Sequence, residues 1–277
     1  MRVRRSRRLA RPRRPARESL RRGIFLLPSL FTVGNMLCGF AAVLYAIHNQ
    51  LELACWLILL ASLLDGLDGR LARLTRATSD FGKEYDSLAD VVSFGIAPAI
   101  VAYQWGLREV GRWGWVAAFL FLVAGSVRLA RFNVKAGQAD RRYFIGLPIP
   151  GGAGALTLMV LVAINLELSV TRSVAIAASL FVFLVAVLMV STIRYRSFKD
   201  FNLRQRWPAT AFFLFAVIVA VLAFSPLPAM AFLLSAYLLG GPAEMFLRKL
   251  RHRPAPAAQP TTLQVTSAPT PPNPEHP

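Results

Sequence analysis

The chain has 277 residues, 55% of them hydrophobic and 17% charged, a balance that excludes an ordinary soluble domain and indicates an integral membrane protein. Lys and Arg outnumber Asp and Glu by 32 to 14, which taken alone fits nucleic acid, anionic lipid or the cytoplasmic loops of a membrane protein. Two cysteines in apolar runs and three histidines at or beyond the ends of such runs leave little material for a disulfide framework, a zinc site or a histidine-based nucleophile, so acid and base work falls to carboxylates.

Residues 1–23 hold eleven arginines and two prolines with almost no apolar periodicity, the signature of a solvated basic arm lying against anionic headgroups. A basic stretch before an apolar run also resembles a signal peptide. The run that follows is long enough to span, however, and further spans come after it, which disfavours cleavage. Eight apolar segments follow, near 27–48, 53–74, 86–106, 113–134, 150–167, 171–191, 209–225 and 229–247, most of them close to the roughly 20 residues of a spanning helix. The expected fold class is an all-α integral membrane protein, a polytopic bundle of about eight transmembrane helices.

The loops orient the bundle, because Lys and Arg collect on the cytoplasmic side. One set contains Arg70, Arg73 and Arg76, then Lys135, Arg141 and Arg142, then Arg194, Arg196, Lys199, Arg204 and Arg206, whereas the opposite set holds only Arg108, Arg112 and Arg172. Both termini are therefore predicted to be cytoplasmic, in the inner membrane. Topology and membrane lipid account for the basic excess, and no nucleic-acid partner is expected. Residues 251–277, rich in Pro, Ala and Thr, cannot build a core and read as a disordered tail. No repeat stands out, so an inverted-repeat transporter gains no support.

The stretch DGLDGRLARLTRATSDFGKEYDSLAD, from Asp65 to Asp90, sets four aspartates among apolar segments. An ionised carboxylate at membrane depth is costly unless compensated. Asp65 and Asp68, three apart at the end of the second segment, share a helix face, and Asp86 and Asp90, four apart, do the same at the start of the third. The chain returns to the same side between them, so two helices present two carboxylates each at one depth. Such a group repels itself unless a cation intervenes, and hard oxygen ligands suit Mg²⁺, Mn²⁺ or Ca²⁺. Mg²⁺ commonly bridges carboxylates to substrate phosphates, which implies a phosphate-bearing substrate. Gly69, Ala72 and Gly82 leave room for a ligand near the backbone, although small residues also pack membrane helices. Arg73 stands beside the acids as a phosphate partner. The bland alternative pairs the aspartates with Arg70, Arg73 and Arg76; a prenyl-diphosphate enzyme would need a DDxxD arrangement, which is absent.

Written out, the pattern is DxxDGxxAR, eight residues, then GxxxDxxxD, met by Asp65, Asp68, Gly69, Ala72, Arg73, Gly82, Asp86 and Asp90. It resembles the signature of the CDP-alcohol phosphatidyltransferase family of integral membrane enzymes. The resemblance implies two metal ions, Mg²⁺ or Mn²⁺, held by the four aspartates on the diphosphate of a CDP-linked lipid, and an alcohol that displaces CMP. It makes Asp65, Asp68 and Asp86 principal metal ligands, and gives Asp90 both a place in the metal site and the role of general base. Gly69, Ala72 and Gly82 would admit the cytidine and Arg73 would hold phosphate.

The first span, LPSLFTVGNMLCGFAAV, carries Thr32, Asn35 and Gly39 at spacings similar to those of the phosphatidylserine synthase branch, although Ser29 stands where many relatives have Asn after the proline. RLARFNV from Arg128, YFIGLPIPGG from Tyr143 and STIRYRSFK from Ser191 resemble the same branch, so that the likeness covers residues 24–200. The substrates implied are CDP-diacylglycerol and L-serine, with glycerol phosphate, inositol phosphate or choline as alternative acceptors, and a homodimer is implied as well. Arg128 and Arg131, three apart near a cytoplasmic helix end, would meet phosphate or the serine carboxylate, or else snorkel to the interface. Asn133 would bond substrate or cap the helix. GLPIPGG breaks the chain before the fifth span, and Tyr195, Arg196 and Lys199 would cover the mouth of the site. The expected organisation is a basic arm at 1–23, a catalytic core at 24–200 within the first six helices, an additional helix pair at 201–250, and the tail. A cation-coupled transporter is the contrasting class; its acids would be spread along a path and not gathered at one depth.

Overall fold

The computed structural model describes residues 16–75, 80–135, 143–196 and 224–251, with 213, 216–217 and 220–221. The helices are α1 (Ala16–Ile47), α2 (Leu51–Thr75), α3 (Asp80–Asp90), α4 (Ala97–Trp105), α5 (Arg112–Lys135), α6 (Ile149–Asn165), α7 (Arg172–Val190) and α8 (Pro226–Arg251). Among the described residues, five stretches are long and apolar enough to cross a membrane, Leu30–Ile47, Phe81–Trp105, Arg112–Val134, Arg172–Val190 and Pro226–Met245. This is an all-α, multi-pass membrane protein. Seven of the eight apolar segments coincide with these helices; the segment near 209–225 falls largely outside the described residues, so a count of eight spans is not reached.

Helix α1 shows how the bundle is turned inside out relative to a soluble one. Leu30, Val33, Leu37, Phe40, Leu44 and Ile47 are exposed at intervals of three and four residues, while Thr32, Asn35, Ala42 and Ala46 are buried on the opposite face. An apolar stripe at helical period faces outward to where lipid lies, and the polar residues turn inward, where their hydrogen bonds can be satisfied. The helix starts at Ala16, earlier than a solvated arm over residues 1–23 would allow. Ala, Arg, Glu and Leu in this stretch are strong helix formers, and they extend a helix that the span behind them has already nucleated. Residues before Ala16 and after Arg251, hence most of the arm and the tail, lie outside the described residues.

The third span is one rod with a widened middle. Between α3 and α4 the backbone forms a six-residue π turn, Val91–Ile96, immediately after Asp90, and such turns are often found at functional sites. Here α1 comes very close: Gly39 lies against Ser93, and a Cβ at position 39 would sit 2.6 Å from the Ser93 Cα.

Helix α6 is the core of the bundle, packed by α2, α4, α7 and α8. Phe121 on α5, Met189 on α7, Ile58 on α2 and Leu156 on α6 are buried together. The break expected at GLPIPGG is present: Gly146 has φ +78°, a conformation that favours glycine, and α6 starts after Pro148 with proline in its first turn. Gly146 N–H donates to the Ile193 carbonyl at 2.8 Å. Beside it, strands β1 (Tyr143–Ile145) and β2 (Arg194–Arg196) pair antiparallel, Tyr143 opposite Arg196, the one strand pairing among the described residues. Trp113 and Trp115 are exposed at the start of α5, as interfacial anchors should be, and Cys38 and Cys55 are free thiols packed in the bundle.

Candidate active site

The end of α2 and the start of α3 meet across the short 76–79 connection. Asp65 and Asp68 of α2 and Asp86 of α3 each offer a carboxylate oxygen, and these oxygens lie within 4.8 Å of one another. Asp68 is buried, Asp65 and Asp86 half-buried. Asp90 lies one helical turn deeper, buried and outside this trio, yet close enough for its charge to interact with all three. Four acids in one low-dielectric corner form an arrangement that only compensating charge makes affordable.

Helix α1 supplies the scaffold. The Thr32 hydroxyl donates to Asp68 Oδ2 at 3.0 Å, and Asn35 Nδ2 donates to Asp90 Oδ1 at 3.4 Å. Asn35 is itself fixed from behind, its carbonyl accepting from the Ser93 hydroxyl at 2.9 Å. One face of α1 thus holds one acid from each of the two partner helices, and the π turn locks that face in place through Ser93 and Gly39.

Two buried oxygens near the centre are left without a hydrogen-bond partner, Asp86 Oδ1 and Asn35 Oδ1. A buried carboxylate oxygen with no donor is a costly feature in a finished core, whereas it is what a ligand to a hard cation needs. The donor set is all oxygen, with three carboxylates converging, and so fits a divalent metal. Gly69 is exposed, and a Cβ there would meet nothing within 4 Å, so that a ligand can approach the backbone on that side. Ala72 and Arg73 lie on α2, but their side chains are outside the described residues; Gly82 lies on the first turns of α3.

The basic and polar residues of α5 do not all go where the helical spacing suggested. Arg128 is buried, its guanidinium 5.6 Å from the centre of the Phe132 ring, and its charge interacts with that of Asp90. Arg131 turns away: Nη1 donates to the Val190 carbonyl at 3.0 Å, closing the C-terminal end of α7, where the last carbonyls lack helical partners. Asn133 Nδ2 donates to the Ser87 hydroxyl at 2.8 Å, and so braces α3 next to Asp86. It neither caps its own helix by this bond nor stands apart from the site.

Tyr195 is buried, 1% exposed, and therefore does not cover the mouth. Its ring packs at a tilt of 46° against Tyr237 of α8, with ring centres 5.5 Å apart, and burial pushes its phenol above the usual value. The side chain of Arg196 and the whole of Lys199 fall outside the described residues. In the sequence Thr32, Asn35 and Gly39 stand out only by their spacing in the first span; the packing of α1 makes them supports for Asp68, Asp90 and the π turn.

Comparison with known proteins adds an independent line. The family model described as CDP-alcohol phosphatidyltransferase matches residues 25–185. A CDP-diacylglycerol–serine O-phosphatidyltransferase of Helicobacter pylori is 39% identical over 218 residues, which is 79% of this chain and 90% of that protein. The protein so named in Bacillus subtilis is 37% identical over 124 residues, 45% of this chain and 69% of its own length. An archaetidylserine synthase of Methanothermobacter thermautotrophicus is 42% identical over 128 residues, 45% of this chain and 53% of its own.

Proposed function

The chain belongs to the CDP-alcohol phosphatidyltransferase family, and from that premise we propose that it transfers the phosphatidyl group of CDP-diacylglycerol to L-serine, giving phosphatidylserine and CMP. The observation that carries the reading is the convergence of Asp65, Asp68 and Asp86 beside a separately held Asp90. Three carboxylates suit a divalent cation, and a fourth, outside the trio, suits a base. The names of the relatives, two serine phosphatidyltransferases and an archaetidylserine synthase, favour serine over glycerol phosphate, inositol phosphate or choline.

In this reading Asp65, Asp68 and Asp86 hold Mg²⁺ or Mn²⁺. Bound there, the metal would neutralise the diphosphate and make CMP a stable leaving group. The protein's own groups do the rest. Asp90, anchored by Asn35, takes the proton of the serine hydroxyl as its oxygen bonds to the lipid-side phosphorus and the bond from that phosphorus to the CMP oxygen breaks. Thr32 keeps Asp68 turned toward Asp65 and Asp86. Gly69, Ala72 and Gly82 make room for the nucleotide, Arg73 contacts phosphate, and Arg128 meets a phosphate or the serine carboxylate. Residues 24–200 form the catalytic core, and the excess of Lys and Arg on the loops at the aspartate end supports a cytoplasmic active site, cytoplasmic termini and placement in the inner membrane.

The test of the acceptor is a panel. Purified protein in mixed micelles with CDP-diacylglycerol and Mn²⁺ is offered serine, glycerol phosphate, inositol phosphate and choline in separate reactions, and the lipid product is identified by mass. Phosphatidylserine from serine alone is the expected result; a product from another acceptor and none from serine overturns the assignment.

A further inference from the structure

The acids of the cluster are not all steered in the same way. Asp68 and Asp90 are held through their own oxygens, by Thr32 and Asn35 of α1. Asp86 Oδ1, by contrast, is buried and accepts no hydrogen bond, as an oxygen kept for a cation should be. Where that oxygen points therefore depends on the rotation of α3 about its own axis. Helix α3 has eleven residues and packs chiefly on α1 and the π turn, so the few side-chain bonds it makes to other helices decide how firmly its rotation is set.

Two such bonds flank Asp86. The Tyr85 hydroxyl reaches Met36 Sδ of α1 at 3.9 Å, a weak acceptor. The stronger bond comes from α5: Asn133 Nδ2 donates to the Ser87 hydroxyl at 2.8 Å, across 46 residues of chain. Ser87 in turn donates to the Lys83 carbonyl one helical turn back, at 3.0 Å, so its one hydrogen is spent and it meets Asn133 as an acceptor. The two bonds run in one direction, Asn133 to Ser87 to Lys83, and each polarises the other. Successive helical residues are about 100° apart, which sets Tyr85 and Ser87 on either side of Asp86, one tied to α1 and the other to α5. A turn of α3 by about 20° moves an atom about 5 Å from the axis by about 2 Å, far beyond the tolerance of about 0.2 Å in a metal–oxygen distance.

We propose that Asn133 is a positioning residue for the metal site: through Ser87 it holds α3 at the rotation that aims Asp86 at Asp65 and Asp68. This rests on the reading above, in which these three acids hold a divalent cation. It gives Asn133 a part in metal affinity, where its place shortly after Arg128 suggested a bond to substrate. Cutting the Asn133–Ser87 bond lets α3 turn and loosens the metal, and leaves the serine contacts as they were.

The experiment uses the full chain, purified in detergent and freed of metal, for the wild type, Asn133→Ala, Ser87→Ala and the double variant. Mn²⁺ is titrated with CDP-diacylglycerol present and serine absent, and free Mn²⁺ is read from its electron paramagnetic resonance, so that affinity is measured without turnover. The Kd for Mn²⁺ rises roughly tenfold in each single variant, the lower end of what removing a ligand's support costs a metal site. It rises no further in the double variant, because both changes cut one bond. Ser87→Ala cuts that bond from the α3 side with a residue that favours helix, which keeps the test open should Asn133→Ala fail to fold. Steady-state CMP release at saturating Mn²⁺ gives a KM for serine within about threefold of the wild type. A Kd changed by less than about threefold in a folded variant, single effects that multiply in the double variant, or a serine KM raised beyond that limit overturns the proposal, the last by returning Asn133 to the substrate. A wild type that binds no Mn²⁺ defeats the metal reading itself, and this proposal with it, a result distinct from a wild type that binds Mn²⁺ and variants that bind it equally well.

Discussion

The Thr32 hydroxyl on α1 donates to the Asp68 carboxylate on α2 at 3.0 Å, although the two residues are 36 apart in the chain. The bond fixes which oxygen of Asp68 is left to face Asp65 and Asp86. Thr32→Val keeps the shape of the side chain and deletes the donor. The Mn²⁺ concentration for half-maximal activity should rise about tenfold, the usual scale for loss of a group that orients a metal ligand, while the melting temperature moves little. An unchanged metal dependence would remove Thr32 from the site.

Asn35 should behave differently, because its partner is Asp90 and not a member of the trio. Asn35→Leu frees Asp90 to turn, and kcat falls by about tenfold, the value of one hydrogen bond to a charged group, with the metal dependence left as in the wild type. A titration of activity against Mn²⁺ on both variants separates the two roles; the same response from both would show that the trio and Asp90 act as one unit.

Gly39 is the point of closest approach between α1 and the π turn. In Gly39→Ala the new Cβ would press on the Ser93 backbone, 2.6 Å from its Cα, and a helix or the turn must shift. Overpacking of this kind costs about 1–3 kcal/mol, and here it also moves Asn35 relative to Asp90. A lowered melting temperature together with a lowered kcat is expected, and Ser93→Ala should not rescue either, because the conflict is with backbone as well as with the hydroxyl.

Much of this arrangement was legible in the sequence, and the boundary of what was legible has physical causes. The aspartates were readable because their spacing puts paired acids on two helix faces and because runs of apolar residues make an intramembrane acid conspicuous. The supports were not. Thr32 and Asn35 find partners 36 and 55 residues away, and nothing local marks them as more than polar residues on an inner face. The π turn of VVSFGI has no sequence signature, being imposed by packing against α1. The spacing of Arg128 and Arg131 suggests that they act together because residues three apart share a face, but it still leaves a rotation of about 60°, and the end of α7 offers Arg131 a carbonyl while Arg128 stays buried.

Chelation tests the convergence of Asp65, Asp68 and Asp86 as a metal site. EDTA should abolish CMP release, and Mn²⁺ or Mg²⁺ should restore it. Asp65→Asn, Asp68→Asn and Asp86→Asn should each lower activity by at least about 100-fold and weaken the recovery with metal. Full activity in EDTA, or an Asn variant that titrates with metal as the wild type does, would show that these acids serve another purpose.

The most direct test of the account is the stoichiometry of CMP release. With CDP-diacylglycerol and Mn²⁺ present, the wild type should release CMP only when serine is added, one CMP for each phosphatidylserine formed, and Asp90→Asn should retain the fold and lose this activity. CMP release that is the same with and without serine, or an Asp90→Asn variant that turns over like the wild type, would contradict it.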